Sequence, residues 1–589
     1  MQRFFTYRVL LGLALLLAVL MLLPSLWTGL LVTDYYHKLL LTGASPIPPP
    51  HDYSLFGMFS FTSGSPERIQ QIINLGALPW WSSLDVQVSF FRPLSEITHW
   101  IDYRLWPDHP GFMHAQSLLW YLADILIVSA FLRRIYRDKS PAIAGIATLL
   151  FAICGAHSVT VDWIACRNAL VATFFGVLVL YLHDRWREER RPQLLILSLL
   201  ALVTALLSAE YGLSCIPFLV GYALFLERGT LKSRILSITP ALLIAVLYLA
   251  FYLKAGFGAK NSELYTSPHD PVAFIHAILT RIPELLGAHF SGLTLFLLIQ
   301  FKQHKMLINL VYLLLALPVI PVLFRSREAR FLMFGVLGAL VPVSAETPAD
   351  RVLIFSSTGV MAIVAEALLY WRERFRGAEV KAGGKVLAGT AFSALVLSHF
   401  VLSPLQFLPL YIIPVQLQQI LLLKPVASIQ QQPDLTGKTV VLVNPAPLMP
   451  TCLYMPIMLT NGKPAPKNLL ALGPGNEPVT VTRVDDRTLR VTPKSGYLVS
   501  TDSWYPHPHK EPFKVGETFH LSEVTITVES LDAKGGPKTA LFRFDQPLDS
   551  GNLVWLQFRT PKAKTTNSGT YSPWQLPKVG ETVVLKTFG

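Results

Sequence analysis

The chain has 589 residues, of which 52% are hydrophobic and only 15% are charged, and its mean hydropathy is +0.44. Because soluble domains carry about 25% charged residues, this composition excludes an ordinary soluble protein. The 36 Gly, 43 Pro and 4 Cys residues also exclude a collagen, a low-complexity chain and a disulfide-rich scaffold. A polytopic membrane protein remains.

Much of the formal net charge of +13 comes from short basic clusters between apolar runs. Such clusters mark cytoplasmic loops under the positive-inside rule. We therefore interpret the charge as membrane topology and predict no nucleic-acid partner. The clusters lie at 133–139, 185–191, 325–330 and 372–376.

The first apolar run covers residues 8–32. At about 25 residues it is longer than the core of a signal peptide, so we predict a retained helix with its N-terminus inside. Further runs have about the 20 residues that a bilayer requires, which brings the prediction to about eleven spans. They are 113–132, 141–158, 163–183, 193–209, 211–227, 234–255, 306–324, 329–346, 352–371 and 384–403.

Residues 272–302 do not fit this alternation. Their apolar stretch is followed by basic residues that would look cytoplasmic if the stretch crossed the membrane. Counting it as a crossing would move the 325–330 cluster to the outer side. We predict a re-entrant or interfacial pair of helices here.

After residue 423 the pattern changes to short alternating runs between Gly, Pro and Asp residues, which indicates β-strands. Strands are predicted at 439–443, 479–484, 524–529, 540–544, 554–558 and 582–585. The predicted organisation is a transmembrane domain over 1–423, with a long first outer loop at 34–112. A mainly-β soluble domain over 434–589 follows it and lies outside the cytoplasm.

Ionisable residues gather at the outer ends of the predicted spans, where they are functional candidates by default. A carboxylate beside fixed cations suits sugar transfer from a lipid phosphate, which needs a general base and stabilisation of the departing phosphate. Each candidate also has a structural interpretation: a solvated helix end, an interfacial anchor, a packing residue or an ion pair. For Arg167 the expected ion-pair partners are Asp162 and Glu210. The candidates are Asp34, Arg92, His157, Arg167, Glu210 and Arg351.

Four motifs extend these candidates. They are FFRPL at 90–94 with GFMH at 111–114, AHSV at 156–159 with WIACRN at 163–168, SAEYG at 208–212, and ADRV at 349–352. In this order they resemble the GT-C superfamily of integral-membrane glycosyltransferases. The resemblance is strongest to O-mannosyltransferase-like proteins and to bacterial relatives with a C-terminal β-domain.

The resemblance implies a fold of many spans, an outward cavity, a polyprenyl-phosphate-linked sugar as donor, and an acidic catalytic base in the first outer loop. Asp34 matches that acid, although Thr33 stands where the family commonly has a second one. Arg92, Arg167 and Arg351 match positions that bind the donor phosphate or line the cavity, as do Glu210 and His157. No metal ligands are predicted, and a divalent metal is left open as a cofactor.

These observations predict a glycosyltransferase in the bacterial inner membrane that moves a sugar to an acceptor glycan or protein on the outer face. The β-domain would recognise the acceptor or an envelope protein partner. Two alternatives stay open: a non-catalytic GT-C-derived scaffold for an envelope assembly, which the single acid favours, and a lipid or solute transporter. Lipid-sugar transfer by the purified protein would distinguish the glycosyltransferase from both alternatives.

Overall fold

The computed structural model describes residues 7–47, 57–262, 264–268, 270–447, 451–475, 477–498, 512–559 and 569–586. The chain forms two compact units, each described separately below. The first comprises Met1–Leu30, Phe90–Phe257 and Pro268–Ile413, and the second comprises Leu31–Ser89, Gly258–Ser267 and Pro414–Gly589. Parts of the predicted first loop, 34–112, therefore belong to each unit. The domain boundaries at 423 and 434 stay a prediction.

The described part of the first unit is helical. Several helices begin at a proline, whose fixed φ suits the first helical position; the side chain of Ser140, for example, caps the helix that starts at Pro141. The α-helices that lie wholly within this unit are Tyr7–Leu22, Pro93–Leu105, Pro110–Ile135, Pro141–Ala152, Ser158–Asp162, Arg167–Glu189, Pro192–Ser208, Cys215–Phe225, Leu231–Lys254, Pro271–Ser291, Phe296–Gln300, Lys305–Ala316, Ile320–Arg325, Arg327–Val343, Ile354–Arg376, Ala382–Val396 and Ser403–Leu405. The helix Phe407–Gln418 has its residues from Pro414 onward in the second unit.

Eight helices in the described ranges are long and apolar enough to cross a membrane, or nine if Pro141–Ala152 and Gly155–Asp162, which meet at 46°, form one bent span. The polytopic helical fold is thus confirmed, with fewer qualifying spans than the eleven predicted. Seven of the eleven predicted runs qualify as unbroken helices, the run 141–158 is the bent pair, and Pro271–Ser291 qualifies although it was not counted among the eleven. The predicted runs that do not qualify are Pro192–Ser208, Glu210–Phe225 and Arg327–Val343. Each has fewer than the roughly 20 residues that a helix needs to cross on its own.

The segment for which we predicted a re-entrant or interfacial pair contains one long helix, Pro271–Ser291. The side chain of Asp270 caps its start, and Gly292 ends it with a φ of +70°. Its 21 residues correspond to a rise of about 30 Å. By length and composition this helix also qualifies as a span.

The second unit combines three sheets with short helices. Its helices are Asp34–Leu41, Pro66–Leu75, Lys424–Gln430 and Tyr454–Thr460. Its strands are β1 (Ser60–Ser63), β2 (Gln87–Ser89), β3 (Gly258–Lys260), β4 (Thr439–Leu442), β5 (Asn468–Ala471), β6 (Val479–Arg483), β7 (Thr488–Pro493), β8 (Thr518–Leu521), β9 (Val524–Leu531), β10 (Pro537–Phe544), β11 (Leu553–Arg559), β12 (Thr570–Pro573) and β13 (Thr582–Leu585).

The sheets have the orders β1-β2-β3, β13-β6-β7-β10-β9-β8 and β12-β11-β4-β5. The six-stranded sheet is antiparallel, whereas β4 pairs in parallel with both β5 and β11. All six predicted strand segments are strands in the structure, so the C-terminal β-rich fold is confirmed. Val441, Ile526 and Phe542 are completely buried in its core, as period-two alternation requires.

Candidate functional site

Arg92 and Glu210 form an ion pair between two helix ends of the first unit. Arg92 immediately precedes the helix Pro93–Leu105, and Glu210 opens a 3₁₀ turn after Pro192–Ser208. The Nε and Nη2 atoms of Arg92 lie 2.8 and 2.7 Å from Oε2 of Glu210. The Tyr252 hydroxyl donates to Oε1 of Glu210 at 3.0 Å. The carboxylate is thus held from two sides.

A second pair joins Arg351 and Glu346. The Tyr211 hydroxyl donates to Oε2 of Glu346 at 3.2 Å. Because Glu210 and Tyr211 are consecutive residues, one 3₁₀ turn supplies a contact to each pair. This turn therefore orders two arginine–glutamate pairs that are far apart in sequence.

The turn that carries Arg351 is anchored by its neighbour. Asp350 accepts hydrogen bonds from the Thr294 hydroxyl and, at 2.9 Å, from the Leu295 N–H. Burial raises the pKa of Asp350, and these hydrogen bonds oppose that effect. Arg281 also donates to the backbone carbonyls of residues 344–346, at 2.8 to 3.1 Å. Backbone and side-chain contacts thus fix both members of the second pair.

Both guanidinium groups lie over aromatic rings and remain partly accessible. Arg92 is 4.4 Å from the ring centre of Phe90, and Arg351 is 5.4 Å from that of Trp163. Their side chains are 13% and 21% exposed. Stacked, partly desolvated guanidinium groups suit the recognition of phosphate oxygens.

A small cavity of about 10 Å³ lies beside Arg351 and Tyr211, and it has room for about one water molecule. Its lining is largely apolar and includes Ser356. The other residues that line it are Ala169, Thr173, Ser214, Ala339, Val352, Ile354 and Phe355.

Arg167 is completely buried, and protein groups surround its guanidinium. Nη1 lies 2.5 Å from Oδ2 of Asp102, Nη2 donates to the Met113 carbonyl at 2.7 Å, and Nε donates to the Ser117 hydroxyl at 3.1 Å. The ion pair therefore forms with Asp102, not with Asp162 or Glu210 as expected. Those two carboxylates have other partners, the Thr28 hydroxyl and Arg92.

His157 is also completely buried, in the short segment after the bend at Gly155. Its Nδ1 lies 2.9 Å from the Tyr121 hydroxyl and its Nε2 lies 2.7 Å from the Ser357 hydroxyl. It does not line the cavity beside Arg351. The structure thus brings Arg92, Glu210 and Arg351 together around one turn, and leaves His157 and Arg167 in separate buried networks.

Asp34 belongs to the second unit, where it opens the helix Asp34–Leu41 and is completely buried. Its Oδ2 accepts the Leu31 N–H at 2.8 Å. Between them, Val32 has a φ of +36°, which is unfavourable for a β-branched residue. Burial and the charge of Asp34 raise the pKa of Tyr35 to about 12. A locally strained turn thus holds the predicted catalytic acid.

Three residues in and around the two pairs lie in no motif and were missed by the sequence analysis: Glu346, which belongs to the second pair, and its neighbours Tyr252 and Arg281. A signal existed for Glu346, because it is a carboxylate at the end of the predicted span 329–346. For metals, the described ranges contain no group of three or more His, Cys, Asp or Glu side chains that could hold an ion. We therefore derive no step through a metal.

No family model matches the chain. A search of curated proteins finds a protein O-mannosyl-transferase of Caenorhabditis elegans, 25% identical over 195 residues. The match covers 33% of this chain and 26% of the curated relative, so the chain spans about a quarter of that protein's length. The predicted resemblance is confirmed. Over the matched residues, the chain is similar to a protein O-mannosyl-transferase.

Two solved structures have a distant likeness to this chain. The Archaeoglobus fulgidus oligosaccharyltransferase in the apo form has a TM-score of 0.44 and 12% identity, covering 78% of this chain and 64% of its own. ArnT from Cupriavidus metallidurans bound to undecaprenyl phosphate has a TM-score of 0.35 and 14% identity, covering 90% and 97%.

Proposed function

We propose that this protein is a GT-C-type glycosyltransferase that moves a sugar from a polyprenyl-phosphate-linked donor to an acceptor on the outer face of the membrane. The observation that carries the proposal is the pair of accessible arginine–glutamate contacts around Glu210 and Tyr211. The sequence match to an O-mannosyl-transferase supports the same class of reaction.

Arg92 and Arg351 bind the donor phosphate in this proposal. Each guanidinium carries five N–H donors in a planar fork, so it can hold a carboxylate on one edge and turn another towards a phosphate oxygen. Glu210 and Glu346 keep the two forks oriented before the donor arrives. Fixed cations of this kind stabilise the charge that develops as the phosphate departs.

Asp34 is the proposed general base. The acceptor hydroxyl oxygen attacks the anomeric carbon, the bond from that carbon to the phosphate oxygen breaks, and its electron pair leaves with the phosphate. Asp34 takes the proton of the attacking hydroxyl. The strained turn at Val32 and the Leu31 N–H support this assignment, because backbone strain is concentrated at functional sites.

Arg167 and His157, which are completely buried, have indirect roles. Arg167 positions three helices through Asp102, Met113 and Ser117, and so stabilises the region without touching the donor. His157 acts through its hydroxyl partners. In the second unit, the β-rich region provides the surface for an acceptor glycan, an acceptor protein or an envelope partner. The proposed location is the bacterial inner membrane, with the N-terminus inside and the β-domain outside.

The test compares donor classes with purified protein in liposomes. Labelled sugars are supplied either on polyprenyl phosphate or on a nucleotide, with a mixture of envelope glycans and peptides as acceptors. We expect label transfer only from the lipid-linked donor. We expect the double variant Arg92→Gln with Arg351→Gln to lose it.

The matched control is Arg185→Gln, because Arg185 pairs with Glu189 at the opposite, basic end of its helix and should keep full transfer. Equal transfer by the double variant would remove the two arginines from the donor site. If no lipid-linked sugar is transferred or bound, the non-catalytic scaffold replaces the enzyme as the preferred function.

A further inference from the structure

A continuous chain of buried hydroxyl and imidazole groups runs through the helical unit, apart from the arginine pairs. The Tyr121 hydroxyl lies 2.9 Å from Nδ1 of His157, whose Nε2 lies 2.7 Å from the Ser357 hydroxyl. The same hydroxyl lies 2.7 Å from Nε2 of His289, and Nδ1 of His289 lies 3.4 Å from the Ser356 hydroxyl. The helices that supply these groups are far apart in sequence.

These hydroxyl and imidazole groups can donate in either of two directions along the series, and each direction gives one complete order of hydrogen bonds. In the first, Tyr121 donates to His157, His157 to Ser357, Ser357 to His289, and His289 to Ser356. In the second, every donor becomes an acceptor, because a neutral imidazole has one nitrogen of each kind and a hydroxyl has both functions. Conversion of one order into the other moves one proton from end to end.

Each order also satisfies the end groups. The Tyr121 hydroxyl lies 2.9 Å from the Phe151 carbonyl, to which it donates when His157 donates to it. The Ser357 and Ser356 hydroxyls have a further acceptor in the Leu353 carbonyl, at 3.0 and 2.9 Å. Reversal therefore leaves no donor of the series without an acceptor, so both orders are compatible with burial.

One end of this series of hydrogen bonds reaches a cavity, and the other end is completely buried. Ser356 lines the cavity beside Arg351. At the other end, Asp124 lies about one turn beyond Tyr121 on the helix Pro110–Ile135, close enough to interact electrostatically with it. Asp124 is completely buried, and neither of its carboxyl oxygens has a hydrogen-bond partner among the described residues.

An ionisable side chain within a membrane helix is costly to retain and marks a functional site by default. A carboxyl group in such apolar surroundings is favoured in its protonated form. Asp124 and Tyr121 are three residues apart on one helix, so their side chains share a face, and the two groups interact electrostatically without a direct hydrogen bond. Asp124 is thus suited to hold a proton at the buried end of the hydrogen-bond series.

We propose that Tyr121, His157, Ser357, His289 and Ser356 form a proton relay between Asp124 and the cavity beside Arg351. Its ligand is a proton, exchanged through the one water molecule for which the cavity has room with a weak acid such as a phosphate group held by Arg351. Only the identity of that acid rests on the proposed function. The relay itself can be tested in the resting protein, so its failure is distinguishable from a failure of sugar transfer.

The test is infrared spectroscopy of the liposome-reconstituted protein after transfer into D₂O. Asp124→Asn identifies the carboxyl C=O band of Asp124, and the shift of this band with time reports exchange of its proton. We expect Ser357→Ala to slow the exchange at least about tenfold, because the bridging hydroxyl is lost. Ser357→Thr, which keeps a hydroxyl, should restore it.

The matched control is His183→Gln, a buried histidine that packs on Trp186 and Tyr222 outside the relay. It should leave the exchange of Asp124 unchanged, and backbone amide exchange in the same spectra reports any loosening of the fold. Equal exchange rates in Ser357→Ala and the unmodified protein would overturn the proposal. So would the absence of any carboxyl band that Asp124→Asn removes.

Discussion

Two ion pairs, one from each unit, differ sharply in burial. In the helical unit, Arg167 and Asp102 are completely buried and pair at 2.5 Å. In the β-rich unit, Arg490 and Glu529 pair at 2.6 Å with side chains 41% and 33% exposed. The core beneath the second pair is built from apolar residues such as Ile526 and Phe542.

This difference in burial predicts that the two ion pairs contribute differently to stability. A buried ion pair is weak evidence for stability, because its desolvation can exceed the Coulombic gain, yet removal of one partner is strongly destabilising. An exposed pair contributes little either way. We infer that charge inside the helical unit fixes the positions of helices, whereas charge on the β-rich unit mainly keeps its surface soluble.

The largest expected effect comes from breaking the buried pair. Asp102→Ala leaves the Arg167 guanidinium uncompensated, and we expect a loss of about 3 to 5 kcal/mol of stability. Thermal unfolding of the detergent-solubilised protein measures it. Asp138→Ala is the control, since Asp138 is exposed and 3.8 Å from Arg327. If both variants unfold at the temperature of the unmodified protein, Arg167 does not need its partner.

The next effect concerns the candidate site. Arg351→Gln removes charge-assisted hydrogen bonds to the donor phosphate, worth about 1.5 to 3 kcal/mol. We expect a KM for the lipid-linked donor raised about 10- to 100-fold, with a smaller change in kcat. Initial rates over a range of donor concentrations measure both constants. A change in kcat alone would argue that Arg351 does not bind the donor in the ground state.

A smaller effect is expected in the β-rich core. Ile526→Val removes one methylene group from a completely buried side chain on β9, and we expect a loss of about 0.5 to 1.5 kcal/mol. Chemical denaturation followed by near-ultraviolet circular dichroism measures it. An unchanged midpoint would show that the core next to Ile526 relaxes to fill the space.

The smallest effect should come from the exposed pair. Arg490→Gln removes its contact with Glu529, and we expect less than about 1 kcal/mol, reduced further by salt. The same denaturation experiment at two ionic strengths measures it. A loss as large as that of Asp102→Ala would remove the contrast between the units.

Much of the fold was predictable because periodicity is local. Alternation placed β9 and β10 to within a few residues, and hydropathy located the other long helices but not Pro271–Ser291 as a single span. Pairing across the chain was not predictable. Arg92 and Glu210 are separated by 118 positions. Neither the hydrophobic periodicity nor the spacing of the motifs predicts that their helix ends meet. The parallel pairing of β4 with β11 is hidden from sequence for the same reason.

The candidate site likewise combines residues that the sequence predicted with contacts that it did not predict. The motifs indicated Arg92, Glu210 and Arg351, but not Glu346 or Tyr252, which contact them. For Arg167 the sequence indicated correctly that a buried guanidinium needs a carboxylate. It did not reveal that Asp102, on the helix after Arg92, would supply it, because several acids at span ends were equally plausible by position.

We propose that Asp34 is the base of a lipid-linked sugar transfer. The decisive measurement is label transfer from polyprenyl-phosphate sugar by the unmodified protein and by Asp34→Asn, which keeps the size of the side chain and removes its basicity. We expect Asp34→Asn to bind the donor normally and to lose transfer by about 10²- to 10⁴-fold. Equal rates from the two proteins would show that Asp34 is not the base.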